Sequence, residues 1–229
     1  MSSPEVLAGN SGGQKTKNSL RITEIFYSLQ GEADTAGWPT VFIRLTGCPL
    51  RCGYCDTSYA FQGGETLNLP TILDTVSNYS PTYVTVTGGE PLAQKNCLTL
   101  LTQLCDAGYQ VSLETSGALD VSQVDERVSK VMDLKTPSSG EETKNLYQNI
   151  GFLNKKDQIK FVIGERADYE WARQKLEEYN LKDRCDVLFS PVHNTLKPVQ
   201  LAEWILQDRL NVRFQLQLHK YLWGDEPGR

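Results

Sequence analysis

The sequence predicts an α/β protein: a mostly parallel sheet in an incomplete or modified (βα)6 barrel, with an N-terminal extended segment. Three observations lead there. Short β-branched runs alternate with helical stretches along most of the chain, the pattern of parallel strand–helix units. The C-terminal ends of these runs are polar or Gly-rich, which gathers functional loops on one face. About six such units fit in the chain, short of the eight strands and roughly 250 residues of a closed barrel.

The elements follow in order. Residues 1–18 are rich in Ser, Gly, Asn and Lys without apolar periodicity, which predicts a disordered leader before a single domain at 19–229. Leu20 to Leu29 reads as an extended strand running into Gln30-Gly31-Glu32, and Gly37 with Pro39 closes the turn to a second strand. That strand, ending Phe42-Ile43-Arg44-Leu45, delivers a cysteine loop. Gly63-Gly64-Glu65 reads as flexible, and Pro70 opens a helix from Leu69 to Tyr79. Strands at 83–87, 111–115, 130–135, 158–163 and 187–189 follow, with helices near 95–107, 168–179 and 199–207. Their C-terminal ends carry Gly88-Gly89-Glu90-Pro91, Ser116-Gly117, Thr136-Pro137-Ser138-Ser139, Gly164 and Ser190-Pro191-Val192-His193. Arg213 to Leu218 is expected as a last strand ending near His219-Lys220. The crossovers after Ser116 and after Glu141 are weakly patterned, so one or both are expected to be abbreviated.

Composition narrows the function classes. Hydrophobic residues at 39% and charged residues at 22% describe an ordinary soluble globule, and a net charge of -5 implies no long-range attraction to RNA or an anionic membrane. No direct nucleic-acid or membrane partner is therefore expected. The chain has no apolar run of transmembrane length and no signal-peptide pattern, so a cytoplasmic protein is expected. Of six cysteines, only Cys48, Cys52 and Cys55 cluster. Cys97 and Cys105 fall at the two ends of one predicted helix and Cys185 precedes a strand; these three read as small core residues.

The chemistry centres on Cys48-x3-Cys52-x2-Cys55. Thiolates suit soft metals and iron–sulfur clusters. A four-iron cluster takes one cysteine per iron, so three leave one iron open to a substrate or cofactor. Zinc with a distant fourth ligand and unmetallated thiols are the alternatives. Gly88-Gly89 permits close backbone approach to a small ligand, or is simply a tight turn. Arg44, alone in an apolar strand, is either an inward charge paired to an acid or a fork for a carboxylate. Glu32 suits a cationic or amidine-like group on the same ligand. Asp133 and Lys135 form a structural pair or line the ligand mouth, His193 and His219 are rim candidates, and Thr57 is a hydroxyl placed for a metal or for a helix N-cap.

Together these residues resemble the radical S-adenosylmethionine superfamily and, within it, the 7-carboxy-7-deazaguanine synthase family. The cysteine spacing marks the superfamily. Phe26-Tyr27-Ser28-Leu29-Gln30-Gly31-Glu32, Tyr54-Cys55-Asp56-Thr57, Thr87-Gly88-Gly89-Glu90-Pro91, Asp133-Leu134-Lys135 and Gln217-Leu218-His219-Lys220-Tyr221 mark the family. The resemblance implies a radical ring contraction of 6-carboxy-5,6,7,8-tetrahydropterin to 7-carboxy-7-deazaguanine with loss of ammonia, in the queuosine and deazapurine pathway. It implies a 4Fe-4S cluster on the three cysteines, S-adenosylmethionine, and Mg2+ at Thr57. It places Leu29, Gln30, Gly31, Glu32, Arg44, Thr87 and His219 at the substrate. Tyr54, Asp56, Gly88, Gly89, Glu90, Ser116, Lys135, Thr136, Pro137, Ser138 and Ser190 fall at S-adenosylmethionine. A homodimer and a low-potential donor such as flavodoxin or ferredoxin are also implied. A glycyl-radical-enzyme activase and a non-catalytic metal-binding interaction module are the rival readings. One departure stands out: the family often ends soon after His-Lys, whereas here Leu222 to Arg229 continue, so no role is assigned to the terminus.

Overall fold

The computed structural model describes residues 18–224 with Glu226 and Gly228. The leader expectation for residues 1–17 lies outside them. Asn18, counted with that leader, is described, and its carbonyl accepts the Leu69 N–H at 3.0 Å.

Nine strands form one open sheet: β1 (Ser19–Leu29), β2 (Pro39–Leu45), β3 (Glu65–Asn68), β4 (Tyr83–Gly88), β5 (Gln110–Thr115), β6 (Ser129–Asp133), β7 (Gln158–Ile163), β8 (Asp186–Pro191) and β9 (Arg213–Phe214). Their spatial order is β3-β1-β2-β4-β5-β6-β7-β8-β9. From β2 to β9 every pairing is parallel, while β1 lies antiparallel to both β2 and β3. The order never returns to its start, so the sheet is an incomplete barrel, as the sequence predicts.

Strand alternation sorts the side chains. Val41, Ile43 and Leu45 of β2 and Val84 and Val86 of β4 pack beneath α1 (Leu69–Ser77) and α2 (Cys97–Asp106). Ile159, Phe161 and Ile163 of β7 enter a second core with α3 (Arg166–Glu178) and α4 (Pro198–Gln207). The intervening residues, Phe42, Arg44, Thr87, Glu114, Asp133, Lys160 and Val162, face a common cavity on the other side. Cys97 and Cys185 are buried in the two cores and Cys105 is half-buried, in keeping with a packing role.

The structure departs from expectation in two places. The Gly63-Gly64 stretch leads into a strand, β3, because both glycines take positive φ and turn the chain back along β1. At the other edge β9 holds only two residues, and Leu218–Trp223 forms a short helix, α5. Buried Gln215 explains the switch: its amide accepts from Ala33 N–H at 2.8 Å and donates to Ala33 O at 2.9 Å. Leu218 N–H then donates to Gly31 O at 3.0 Å, so the segment crosses to the Gln30–Ala33 loop instead of extending the ladder. His219 and Lys220 therefore reach the cavity from a helix, not from a strand end.

Both weak crossovers are abbreviated. Short 3-10 turns, Pro137–Ser139, Glu142–Lys144 and Tyr147–Phe152, replace a helix between β6 and β7. Fully buried Asn149 braces the preceding β5–β6 link, donating to Gly117 O and Leu119 O and accepting from Val121 N–H. Its side chain satisfies backbone groups that a helix would otherwise pair internally.

Candidate active site

The strand ends open onto a cavity of about 590 Å3. One side is the cysteine loop after β2. Backbone bonds fix its path: Gly47 N–H to Ala60 O at 2.8 Å, Glu90 N–H to Gly47 O at 2.8 Å, and Gly53 N–H to Ser139 O at 3.0 Å. Arg51 clamps it by donating to Cys48 O at 2.7 Å and Leu50 O at 2.6 Å while its guanidinium covers Phe61. Gly89 is tied to this packing, since a Cβ there would lie 2.3 Å from Gly47 O and 2.8 Å from Cys48 Cβ. Cys48, Cys52 and Cys55 are free, half-buried and all on the cavity wall. Burial pushes the Cys48 and Cys52 thiols up, against the pull of nearby Lys135.

This donor set fits a cluster better than a single ion. Among the described residues no three His, Cys, Asp or Glu side chains converge on one metal position. A four-iron cluster takes one thiolate per iron and does not require such convergence. Three soft donors on one loop match a cluster that leaves one iron to a ligand.

The other side of the cavity is polar and charged. Gln30 donates to Thr85 Oγ1 at 3.1 Å and to Glu114 Oε1 at 3.4 Å, and Thr87 donates to Glu114 Oε2 at 2.9 Å. Lys160 Nζ lies 2.9 Å from Glu32 Oε2, and Lys135 Nζ lies 3.0 Å from Asp133 Oδ2. Burial works against the Lys135 ammonium, but Asp133, Cys52 and Tyr54 outweigh it and hold its pKa up. Arg44 is an inward charge paired to an acid, the first of the two sequence readings. Its Nε donates to Glu24 at 2.7 Å, Phe26 and Tyr59 lie alongside the guanidinium, and the residue still lines the cavity. With Nε paired, the terminal amino groups are the part suited to a ligand carboxylate.

Leu29, Gly31, Tyr54, Asp56, Thr57, Gly88, Ser116 and His219 also lie on the wall. His219 packs against Gly31 so closely that a Cβ on the glycine would stand 2.2 Å from Nδ1. The Thr57 hydroxyl makes no capping bond to the 3-10 turn Ser58–Phe61, so the N-cap reading fails at the side chain. The Tyr54 phenol is pushed up to about 12, first by burial and then by Asp133.

Five expected cofactor contacts stand outside the cavity lining. Glu90 is wholly buried, accepting from Leu92 N–H, Thr115 Oγ1, Ser116 N–H and Ser116 Oγ, and so orients Ser116. Thr136 Oγ1 donates to Val162 O at 2.9 Å. Pro137 begins a 3-10 turn, and Ser138 is held through its N–H and hydroxyl by Asp168. Ser190 is buried within β8. Sequence reading also passed over Glu114 and Lys160. The signal for each was the one that exposed Arg44: a lone charge in an apolar strand.

Comparisons with known proteins agree with this geometry. A family model described as the radical SAM superfamily matches residues 42–140. The 7-carboxy-7-deazaguanine synthase of Chlorobaculum tepidum is 45% identical over 214 residues, covering 92% of this chain and 97% of its own. That of Koribacter versatilis is 40% identical over 222 residues, covering 90% and 98%. Among solved structures, QueE from Escherichia coli shares the fold with TM-score 0.73 at 24% identity, over 88% of this chain and 95% of that one. SuiB from Streptococcus suis, bound to S-adenosylmethionine, does so at TM-score 0.53 and 15% identity, over 75% and 45%.

Proposed function

The chain belongs to the 7-carboxy-7-deazaguanine synthase family of radical S-adenosylmethionine enzymes, and from that premise we propose how its residues divide the work. It is a lyase that contracts the ring of 6-carboxy-5,6,7,8-tetrahydropterin to 7-carboxy-7-deazaguanine with loss of ammonia. The observation that carries the assignment of residues is one cavity with a thiol loop on one wall and Gln30, Glu32, Arg44 and Thr87 on another.

Cys48, Cys52 and Cys55 hold the 4Fe-4S cluster. When bound, the cluster with S-adenosylmethionine supplies one electron and the radical that removes a substrate hydrogen. Everything else falls to orientation and electrostatics. Gly88, Gly89 and Ser116 line the S-adenosylmethionine side, with Glu90 fixing Ser116 from behind. Tyr54, Asp56 and Lys135 shape its adenosyl end. Arg44 takes the substrate carboxylate, and Gln30, Gly31, Glu32, Thr87 and His219 take the pterin. Thr57 would offer one hard oxygen to Mg2+.

A homodimer, a flavodoxin or ferredoxin donor, a cytoplasmic setting and a single domain over 19–229 belong to the same reading. Among the described residues no helix is long and apolar enough to cross a membrane. Family placement sets aside the activase and the non-catalytic module.

Anaerobic turnover tests the assignment. Protein reconstituted with iron and sulfide is given reductant, Mg2+ and S-adenosylmethionine, with and without 6-carboxytetrahydropterin. Mass spectrometry is expected to show 7-carboxy-7-deazaguanine only with substrate. S-adenosylmethionine cleavage without that product would redirect the search to another substrate.

A further inference from the structure

We propose that Lys160 is a positioning residue that joins the pterin half of the cavity to the S-adenosylmethionine half and sets the orientation of Glu32. The proposal rests on the functional reading above. Lys160 sits mid-strand in β7, between Ile159 and Phe161, which are fully buried in the core. Alternation sends its side chain the other way, into the cavity, where it is 12% exposed. Nζ lies 2.9 Å from Glu32 Oε2 and 3.9 Å from Asp133 Oδ2, and Asp133 Oδ2 also takes Lys135 at 3.0 Å. Glu32, Lys160, Asp133 and Lys135 therefore form a charge chain from the Gln30–Glu32 loop to the end of β6, beside the cysteine loop.

The unpaired oxygens give this chain a purpose. Glu32 Oε1 and Asp133 Oδ1 are buried without a hydrogen-bond partner, while the opposite oxygen of each acid faces Lys160. A buried acceptor without a partner is costly, so these two atoms suit N–H or O–H donors brought by the ligands. By holding Oε2, Lys160 decides which oxygen of Glu32 is presented.

The charges around the lysine agree. Glu32, Asp133 and Glu114 face it; Lys135 lies beyond Asp133, His219 packs on Gly31, and Arg213 reaches the Ala33 carbonyl. Burial opposes the Lys160 ammonium, yet the three acids overcome it and raise its pKa. Without it, three carboxylates share one wall with no central cation.

The test compares Lys160→Met and Lys160→Arg with wild type as reconstituted full-length enzymes of equal iron content. Lys160→Met is expected to raise the KM for 6-carboxytetrahydropterin about tenfold, with a smaller change in kcat. Lys160→Arg should recover most of the KM. If Lys160→Met does not fold, the Glu32→Gln/Lys160→Met double variant, which leaves no uncompensated Glu32 charge, should fold and have the KM of Glu32→Gln alone, since Lys160 acts through Glu32; a further rise of the size an independent site would give would overturn the proposal. Unchanged KM in Lys160→Met would overturn the proposal. So would equal effects on KM and kcat that arginine does not repair. Wild-type enzyme that cleaves S-adenosylmethionine without forming product would instead defeat the pterin reading.

Discussion

The two walls of the cavity are built on opposite principles. The thiol wall comes from one continuous loop whose backbone is pinned by hydrogen bonds and whose three sulfurs remain half-exposed. The charged wall is collected from β5, β6, β7 and the Gln30–Glu32 loop, and its groups pair with one another before any ligand arrives. One wall is completed by what it binds. The other is already organised, so it can orient a ligand without rearranging its own dipoles. The contrast teaches that damage should be local on the first wall and shared on the second.

Four predictions would break or sharpen that contrast. Cys52→Ala should abolish S-adenosylmethionine cleavage in reconstituted protein while thermal unfolding of the apo form moves little; retained cleavage would remove Cys52 from the cluster. Gly89→Ala comes next, because the new Cβ meets the Gly47 carbonyl at 2.3 Å and backbone must shift. It should destabilise the fold by about 1–3 kcal/mol in denaturant titration and weaken S-adenosylmethionine binding.

Thr57→Val should blunt Mg2+ dependence of turnover yet change stability by less than about 0.5 kcal/mol, since the hydroxyl caps nothing. A rate and Mg2+ response equal to wild type would discard the metal role. The smallest effect concerns Tyr54. Its pKa rises from 10.0 to about 12 in the fold, through burial first and Asp133 second. A raised phenol favours the protonated folded state, so its contribution is whole below pH 10 and is lost as pH climbs through about 12. Tyr54→Phe should therefore flatten the alkaline fall of unfolding free energy in that window. An unchanged slope would mean that the phenol is not held by the fold.

How legible each wall was in the sequence follows from its construction. Cys48, Cys52 and Cys55 stand within one loop, so spacing alone exposed their chemistry. Parallel strands were legible too, because β-branched runs buried on one side recur at regular intervals. Lys160 and Glu114 each stood out as a lone charge in a strand, as Arg44 did, but their partners, 128 and 84 residues away, were not legible. The same limit hid α5: the long-range bonds of Gln215 to Ala33 and of Leu218 to Gly31 show why the last strand stops at Phe214. Glu90 belongs to a recognisable loop, but only tertiary packing shows its carboxylate bonded to Thr115 and Ser116.

The most direct test titrates S-adenosylmethionine and 6-carboxytetrahydropterin separately into reconstituted wild type, Cys52→Ala and Arg44→Ala under anaerobic conditions. Two ligands on two walls predict a crossed result. Cys52→Ala should lose S-adenosylmethionine affinity and keep the pterin, while Arg44→Ala should lose the pterin by about tenfold or more and keep S-adenosylmethionine. Parallel losses of both ligands in both variants would contradict the division of the cavity.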